Sequence, residues 1–283
     1  MNAIEVTGLK KSYGPVHAVR GIDLRIGTGE IFALLGPNGA GKTTTVEILE
    51  GFRTRDSGDV QVLGFDPSAR GHAAREWRNR IGIVLQSTSD SGDLTVIETI
   101  EHFSGYYSNP REVDEVINAV GLDEKAGSLI RKLSGGQRRR FDVALGIIGN
   151  PKLLFLDEPT TGFDPEARRG FWALIQKLRE NGTTILLTTH YLDEAEALAD
   201  RVGVINDGQI LEISTPSELG GRHTSKAIVA WRDGNVVKSQ ATENPTAFVS
   251  QLSADFNGEI PELTVTRPSL EDIYLTMIGA THE

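Results

Sequence analysis

Gly36, Gly41, Lys42 and Thr43 stand in the order G-x-x-x-x-G-K-[ST] within "GPNGAGKTT", between the apolar run "EIFALL" and the helical-looking "KTTTVEILEGF". Glycines let a backbone wrap phosphates, and amides at a helix mouth attract anions. The backbone of Gly36, Pro37, Asn38, Gly39, Ala40 and Gly41, followed by Lys42, Thr43 and Thr44, is therefore a candidate ATP cradle. Lys42 is placed to reach the β and γ phosphates, and Thr43 to offer its hydroxyl to Mg²⁺.

Asp157 and Glu158 follow "LLFL", the most strand-like run in the chain. Adjacent strand residues point to opposite sides. One carboxylate can then serve Mg²⁺ while the other faces the reacting phosphate. Asp157 is assigned to the metal and Glu158 to the attacking water. Gln86 closes "IGIVLQ" before a polar, glycine-containing stretch. It reads as a turn residue or as a ligand of Mg²⁺ or water that senses the γ-phosphate. His190 ends "TTILLTTH" and is either simply exposed or a hydrogen-bond donor to the γ-phosphate that keeps water and Glu158 in geometry. The Tyr13 ring in "KSYG" can stack on adenine. Phosphoryl transfer to water is mostly positioning and charge stabilisation. No arginine finger stands out in this set, so something else must complete the shell around the γ-phosphate.

"LSGGQRRRFDVAL" at 133–145 supplies a second glycine pair. Ser134 and Gln137 have capping-box spacing, and Phe141, Leu145 and Ile148 line one helical face. A capped, packed helix explains those residues. It leaves Gly135 and Gly136 unexplained, since each costs about 1 kcal/mol against alanine inside a helix. Bare amides at a helix mouth suit an anion, and with a single phosphate loop per chain that anion can be another subunit's ATP. Arg138, Arg139 and Arg140 stay open between a role and the solvated face of the helix.

The positioning elements follow from pattern. Residues to about 215 alternate short apolar runs with helical stretches: strands at 30–35, 81–86, 152–159 and 183–190, helices after 42, over 94–107, 111–122 and 166–181, and a hairpin around "NDG". Two further strands pair near the start, with a turn at "GPV". This implies α/β layering. Beyond "GGRHTS" (220–225) the pattern becomes small α+β, with Phe248, Leu252 and Phe256 on one helical face and a capping box at Ser269 and Asp272. The expected division is 1–220, with a helical subdomain at about 90–145, and 221–283 as an accessory domain.

Composition narrows the partners. A formal charge of −10 and no basic cluster beyond Arg138 disfavour nucleic acid, which needs clustered cations. The chain has no cysteine, which excludes disulfides and thiolate metal sites. No signal-peptide pattern or apolar run of about 18 residues is present, so the expectation is a cytosolic chain or one peripheral to a membrane through a partner.

Together these motifs closely resemble the ATP-binding subunit of an ABC transporter, over about residues 4–215. "GPNGAGKT" resembles the Walker A loop, "LLFLDE" the Walker B strand and "LSGGQ" the signature. Gln86 corresponds to the Q-loop glutamine, His190 to the switch histidine, Tyr13 to the adenine-stacking aromatic and Asp164 in "TTGFDP" to the D-loop aspartate. The resemblance implies a P-loop NTPase of ABC type: a mixed-sheet core with antiparallel and helical subdomains, plus the α+β extension. It implies two ATP sandwiched in a homodimer or heterodimer, with Ser134, Gly135, Gly136 and Gln137 on the partner's ATP, and Mg²⁺ held by Thr43, Gln86 and Asp157. It also implies integral-membrane permease subunits, with this chain on the cytoplasmic side of the membrane and the segment after Gln86 facing them. Phe163 replaces the usual D-loop leucine, a hydrophobic swap.

The wording around "LSGGQRRRFDVALGIIGNPKLLFLDEPTTGFDP" and the ending "PSLEDIYLTMIG" resemble the drug- and polysaccharide-export branch. Export of drugs or other hydrophobic or amphipathic compounds follows as the expectation. Two other readings stand beside it: a soluble ABC ATPase such as the iron–sulfur assembly type, and an ATP-gated scaffold. Intact Lys42, Asp157, Glu158 and His190 weigh against the scaffold.

Overall fold

The computed structural model describes residues 1–85, 93–256 and 258–279, with His223 through its backbone alone. It divides into two compact units, Met1–Ile213 and Ser214–Glu283.

In the first unit, β1 (Asn2–Tyr13) and β2 (Val16–Gly27) form an antiparallel pair. Next come β3 (Ile31–Leu35), α1 (Lys42–Leu49), β4 (Ser57–Val62), α2 (His72–Arg78) and β5 (Ile81–Val84). Then follow α3 (Val96–Ser104), α4 (Val113–Ala119), α5 (Gly135–Ile147), β6 (Leu153–Asp157) and α6 (Pro165–Glu180). The unit closes with β7 (Thr184–Thr189), α7 (Leu192–Leu198), β8 (Arg201–Asn206) and β9 (Gln209–Ser214).

Every residue of "IFALL" and of "TILLTT" is buried, as are the first four of "LLFLD". Strands covered on both faces need such unbroken apolar runs, and these three lie at the centre of a sheet ordered β5-β6-β7-β3-β8-β9. The paired strands from β5 to β8 run parallel. The second sheet is antiparallel in the order β2-β1-β4, and its inward residues alternate with exposed ones. Ile4, Val6, Leu24 and Ile26 of that sheet share one core with Val46 and Leu49 of α1, Phe32 and Leu34 of β3, and Trp77 of α2. The helix carrying the phosphate loop is thereby wedged between two sheets.

Helix starts follow their caps. Thr95 and Glu98 close a reciprocal capping box on α3, and Asp164 caps α6 with Pro165 in its first turn. α5 lies on β5 through a close contact between glycines. A Cβ on Gly82 would stand 2.0 Å from the Gly146 carbonyl oxygen, and one on Gly146 would stand 2.6 Å from Val84 Cγ2. Backbone meets backbone there, so α5 is held against the sheet at a fixed height.

The second unit has an antiparallel sheet β11-β10-β12, built from β10 (Ala227–Asp233), β11 (Val236–Thr242) and β12 (Thr264–Thr266). Helix α8 (Pro245–Asp255) adds Leu252 to a small core with Val229, Trp231 and Ile260, and Phe248 and Phe256 pack on it. Helix α9 (Leu270–Met277) starts with the Ser269–Asp272 capping box read from sequence.

The α5–β5 contact predicts a sharp intolerance. Gly82→Ala must displace a backbone carbonyl, and overpacking of that kind costs about 1–3 kcal/mol. We expect the thermal midpoint to fall by roughly 5 °C, given about 2–4 °C per kcal/mol for chains of this size. A calorimetric midpoint equal to that of the parent would contradict the contact.

Candidate active site

β3, β6 and β7 deliver their carboxyl ends to one level, because Leu35 pairs with Thr189 and Asp157 with Thr188. In open α/β sheets this edge is where ligands bind. The loop after β3 is shaped by close approaches. Gly41 has φ +104°, and a Cβ there would stand 2.4 Å from the Ala18 carbonyl oxygen. A Cβ on Gly36 would stand 2.3 Å from that of Ile205. No side chain fits at either position. Lys42 is only 6% exposed, and its ammonium donates to the carbonyls of Gly36 at 2.6 Å and Pro37 at 3.1 Å. Burial lowers its pKa, while Glu158 and then Asp157 pull it back up. Thr43 is exposed at the first turn of α1, Thr44 is half-buried, and the Thr45 hydroxyl donates back to the Gly41 carbonyl.

At the end of β6, Asp157 Oδ1 accepts the Thr188 hydroxyl at 2.5 Å. Glu158 has already left the strand. Its φ is +43°, the left-handed region that costs a non-glycine residue roughly 1 kcal/mol. Asp157 ends the strand and Glu158 lies beyond it on a left-handed turn, which corrects the strand-alternation argument drawn from sequence. The Glu158 amide donates to the Thr188 carbonyl at 3.1 Å. Its carboxylate lies 3.2 Å from His190 Nδ1 and accepts from Thr161 at 3.4 Å. Lys42, Asp157, Glu158 and His190 thus meet at one edge.

At the mouth of α5, Ser134 Oγ accepts the Gln137 amide at 3.3 Å, and Gln137 Oε1 accepts the Ser134 amide at 3.0 Å. A Cβ on Gly135 would meet nothing within 4 Å, and one on Gly136 only Ala167 Cβ at 3.9 Å. Neither glycine has a positive φ. The fold of this chain has no need of glycine at either position.

The ABC transporter family model matches residues 19–161. The Nod factor export ATP-binding protein I of Rhizobium sp. (strain N33) is 35% identical, over 99% of this chain and 98% of its own. The daunorubicin/doxorubicin resistance ATP-binding protein DrrA of Streptomyces peucetius is 42% identical, over 77% and 66%. The linearmycin resistance ATP-binding protein LnrL of Bacillus subtilis (strain 168) is 31% identical, over 98% and 99%. The chain belongs to the ABC transporter family. Among solved structures, cbiO1 from Clostridium perfringens, part of the ABC transporter complex cbiONQ, has a TM-score of 0.71 at 28% identity, covering 77% of this chain and 90% of that one. The cassette MJ0796, solved as a dimer, has a TM-score of 0.67 at 23% identity over 75% and 98%, which bears on the fold alone. This protein is an ABC-type ATP-binding subunit and an ATPase.

The remaining sequence-derived positions of this ABC ATPase fall as follows. Tyr13 ends β1 and is 39% exposed, with Lys11 and Arg53 each 5.5 Å from its ring centre. Asp164 accepts the Glu166 and Ala167 amides as the α6 cap. Gln86 lies outside the described residues, and the strand before it ends at Val84. Of the arginine run, which the sequence leaves open, Arg139 does not lie on a solvated face. It is 7% exposed, on the buried stripe Arg139, Asp142, Val143 and Gly146. That i, i+3, i+4, i+7 spacing was available in the sequence, hidden because two of its members are charged. Glu50 was missed for the same reason. It follows Val46 and Leu49 on the buried face of α1 and is 5% exposed.

Burial, then Asp157, then Glu47 push the Glu50 carboxyl up to about 8. An acid whose folded pKa exceeds its unfolded value adds stability below the unfolded pKa and loses it as pH climbs through the folded one. Nucleotide- and metal-free protein should therefore lose stability between pH 5 and pH 8. Glu50→Gln has no charge to neutralise. It should match the parent near pH 4.5 and exceed it by about 2–4 kcal/mol above pH 8. Denaturant melts across this range check it, and parallel curves for the two proteins would contradict it.

Proposed function

We propose that two ATP-binding subunits close on two ATP molecules, each held by residues 36–44 of one subunit and met by Ser134, Gly135, Gly136 and Gln137 of the other. The reading rests on the glycine pair. Its backbone conformation is ordinary and its surroundings leave room for a Cβ, so the glycines answer to something outside the chain. The amides of Gly135 and Gly136 open the first turn of α5, where no intrahelical acceptor exists. A phosphate from a second subunit suits them.

On the loop side, Lys42 turns from its own carbonyls to the β and γ phosphates, and Tyr13 stacks on the base. Glu158 accepts the proton of the attacking water, and His190, 3.2 Å away, orients that carboxylate and donates to the γ-phosphate. Asp164 contributes from the D-loop. A triphosphate beside Asp157 and Glu158 calls for a divalent cation, and the donor set fits Mg²⁺, which favours carboxylate and hydroxyl oxygen together with substrate phosphates. Asp157 and Thr43 would hold it, with Gln86 as a third candidate, and it would neutralise charge on the phosphate oxygens.

Closure and reopening then drive separate integral-membrane permease subunits from the cytoplasmic face. Among the described residues no helix is long and apolar enough to cross a membrane, and permeases on separate chains would supply the pathway. The relatives named for Nod factor export and for daunorubicin, doxorubicin and linearmycin resistance support export of hydrophobic or amphipathic compounds.

Three experiments bear on this reading. Glu158→Gln should bind ATP with an affinity within threefold of the parent while turnover falls by about 10²–10³; turnover within twofold of the parent would remove Glu158 from its role. Gly135→Ala with Gly136→Ala should raise helix stability by a few tenths to about 1 kcal/mol and yet abolish turnover. Lys42→Ala and Ser134→Arg chains, each inactive alone, should recover part of the activity when mixed, since one composite site stays intact. Full turnover by the alanine pair, or by a strictly monomeric form, would overturn the shared site.

A further inference from the structure

Arg139 sits just inside α5, two residues beyond Gln137, and turns into the sheet. Its guanidinium donates Nε–H to the Pro159 carbonyl at 2.9 Å and Nη2–H to the Asp157 carbonyl at 2.8 Å. A third donor goes to the carbonyl of Leu85. Asp142, one turn on, places a carboxylate 4.0 Å from it. Three carbonyls at or just beyond the ends of β5 and β6 are thus satisfied by one side chain. A planar fork of fixed donors can do this, and a lysine ammonium with one nitrogen cannot reach all three in the same way.

The Asp157 carbonyl belongs to the same peptide unit as the Glu158 amide. That amide is held from the opposite side by Thr188, at 3.1 Å from its carbonyl and 3.2 Å from its hydroxyl. The peptide plane between the two carboxylate residues is therefore pinned at both edges. The Pro159 carbonyl is pinned as well, so Arg139 brackets Glu158 from before and behind. Glu158 keeps a left-handed φ of +43° between these anchors. Such a conformation persists where its surroundings over-determine it.

We propose that Arg139 is the positioning residue for Glu158: it fixes the backbone on both sides of that carboxylate, and it does so from the helix whose mouth carries Ser134 and the glycine pair. The positioning acts within one chain. Its link to a second subunit's ATP rests on the two-subunit reading given above. The consequence is that the helix touching one ATP sets the geometry of the base at the other.

The test uses purified full-length chain. Arg139→Met keeps the aliphatic stem and removes the donors; Arg139→Lys keeps the charge and part of the bonding. Expected for Arg139→Met is a kcat at least tenfold lower per folded molecule, with KM and the ATP dissociation constant within threefold of the parent. Arg139→Lys should recover a measurable part of that loss. Unchanged kcat, or a loss that merely follows the folded fraction, overturns the proposal. Should Arg139→Met fail to fold, Arg139→Lys alone decides through the same kcat-against-KM split.

Mixed chains separate positioning within the chain from a general effect on α5. With Ser134→Arg in one chain and Lys42→Ala in the other, the live site uses the phosphate loop and Glu158 of the Ser134→Arg chain. Arg139→Met should abolish the recovered activity when it shares that chain, and spare it when it shares the Lys42→Ala chain. Equal loss in both arrangements, or loss only in the second, overturns the assignment. If the mixture without any Arg139 change recovers nothing, the shared site has failed, and the single-variant kinetics still judge Arg139.

Discussion

Thr188 and the Asp157–Glu158 peptide face each other across β6 and β7, and the active edge is built outward from that contact. The Thr188 hydroxyl donates to the Asp157 carboxylate, and its carbonyl receives the Glu158 amide. Both bonds exist because the parallel register sets Asp157 opposite Thr188. A slip of one residue would turn every side chain of β6 to the other face. β3 and β7 are buried throughout and β6 up to Asp157, so the three strands are packed on both faces.

Charge is the second constraint. Asp157 and Glu158 act on the buried ammonium of Lys42, and Asp157 acts on Glu50 as well. Burial depresses the lysine, and two of these carboxylates restore it. Glu50 answers differently: its carboxyl is pushed up to about 8, so it sheds its charge near neutrality. Arg139 brings a second buried cation to the same edge, with its guanidinium on the Asp157 carbonyl. On the function proposed above, a divalent cation would offset the charge of a triphosphate beside Asp157 and Glu158.

Residues whose role is local were legible from sequence. The phosphate loop, the apolar runs of β3, β6 and β7, and the capping boxes at Ser134 and Ser269 are written in spacing that neighbours three or four residues apart can satisfy. What escaped depends on distant partners. β4 buries only Val60 and Val62 and owes its place to β1. α2 is a seven-residue helix opened by Gly71 at φ +73° with no side-chain cap, so neither period nor cap announces it. Arg139 and Glu50 carry charges on buried stripes, and a pattern search that counts apolar residues passes over both. Glu158 was read as a candidate from its place after the β6 run, but its left-handed turn was not, because a left-handed glutamate has no composition signal.

The mouth of α5 joins these constraints. Ser134 and Gln137 satisfy each other, which secures the helix start without help from outside. The amides of Gly135 and Gly136 are left as donors with no acceptor in their own helix. Each chain also carries a formal charge of −10, so two of them repel on approach. On the two-subunit reading proposed above, a phosphate seated in one subunit's loop would supply the acceptor those amides lack, and an accompanying cation would offset part of the repulsion. Association through this surface would then be conditional on nucleotide: the acceptor would arrive with ATP, and its loss after hydrolysis would leave the like charges to drive the subunits apart.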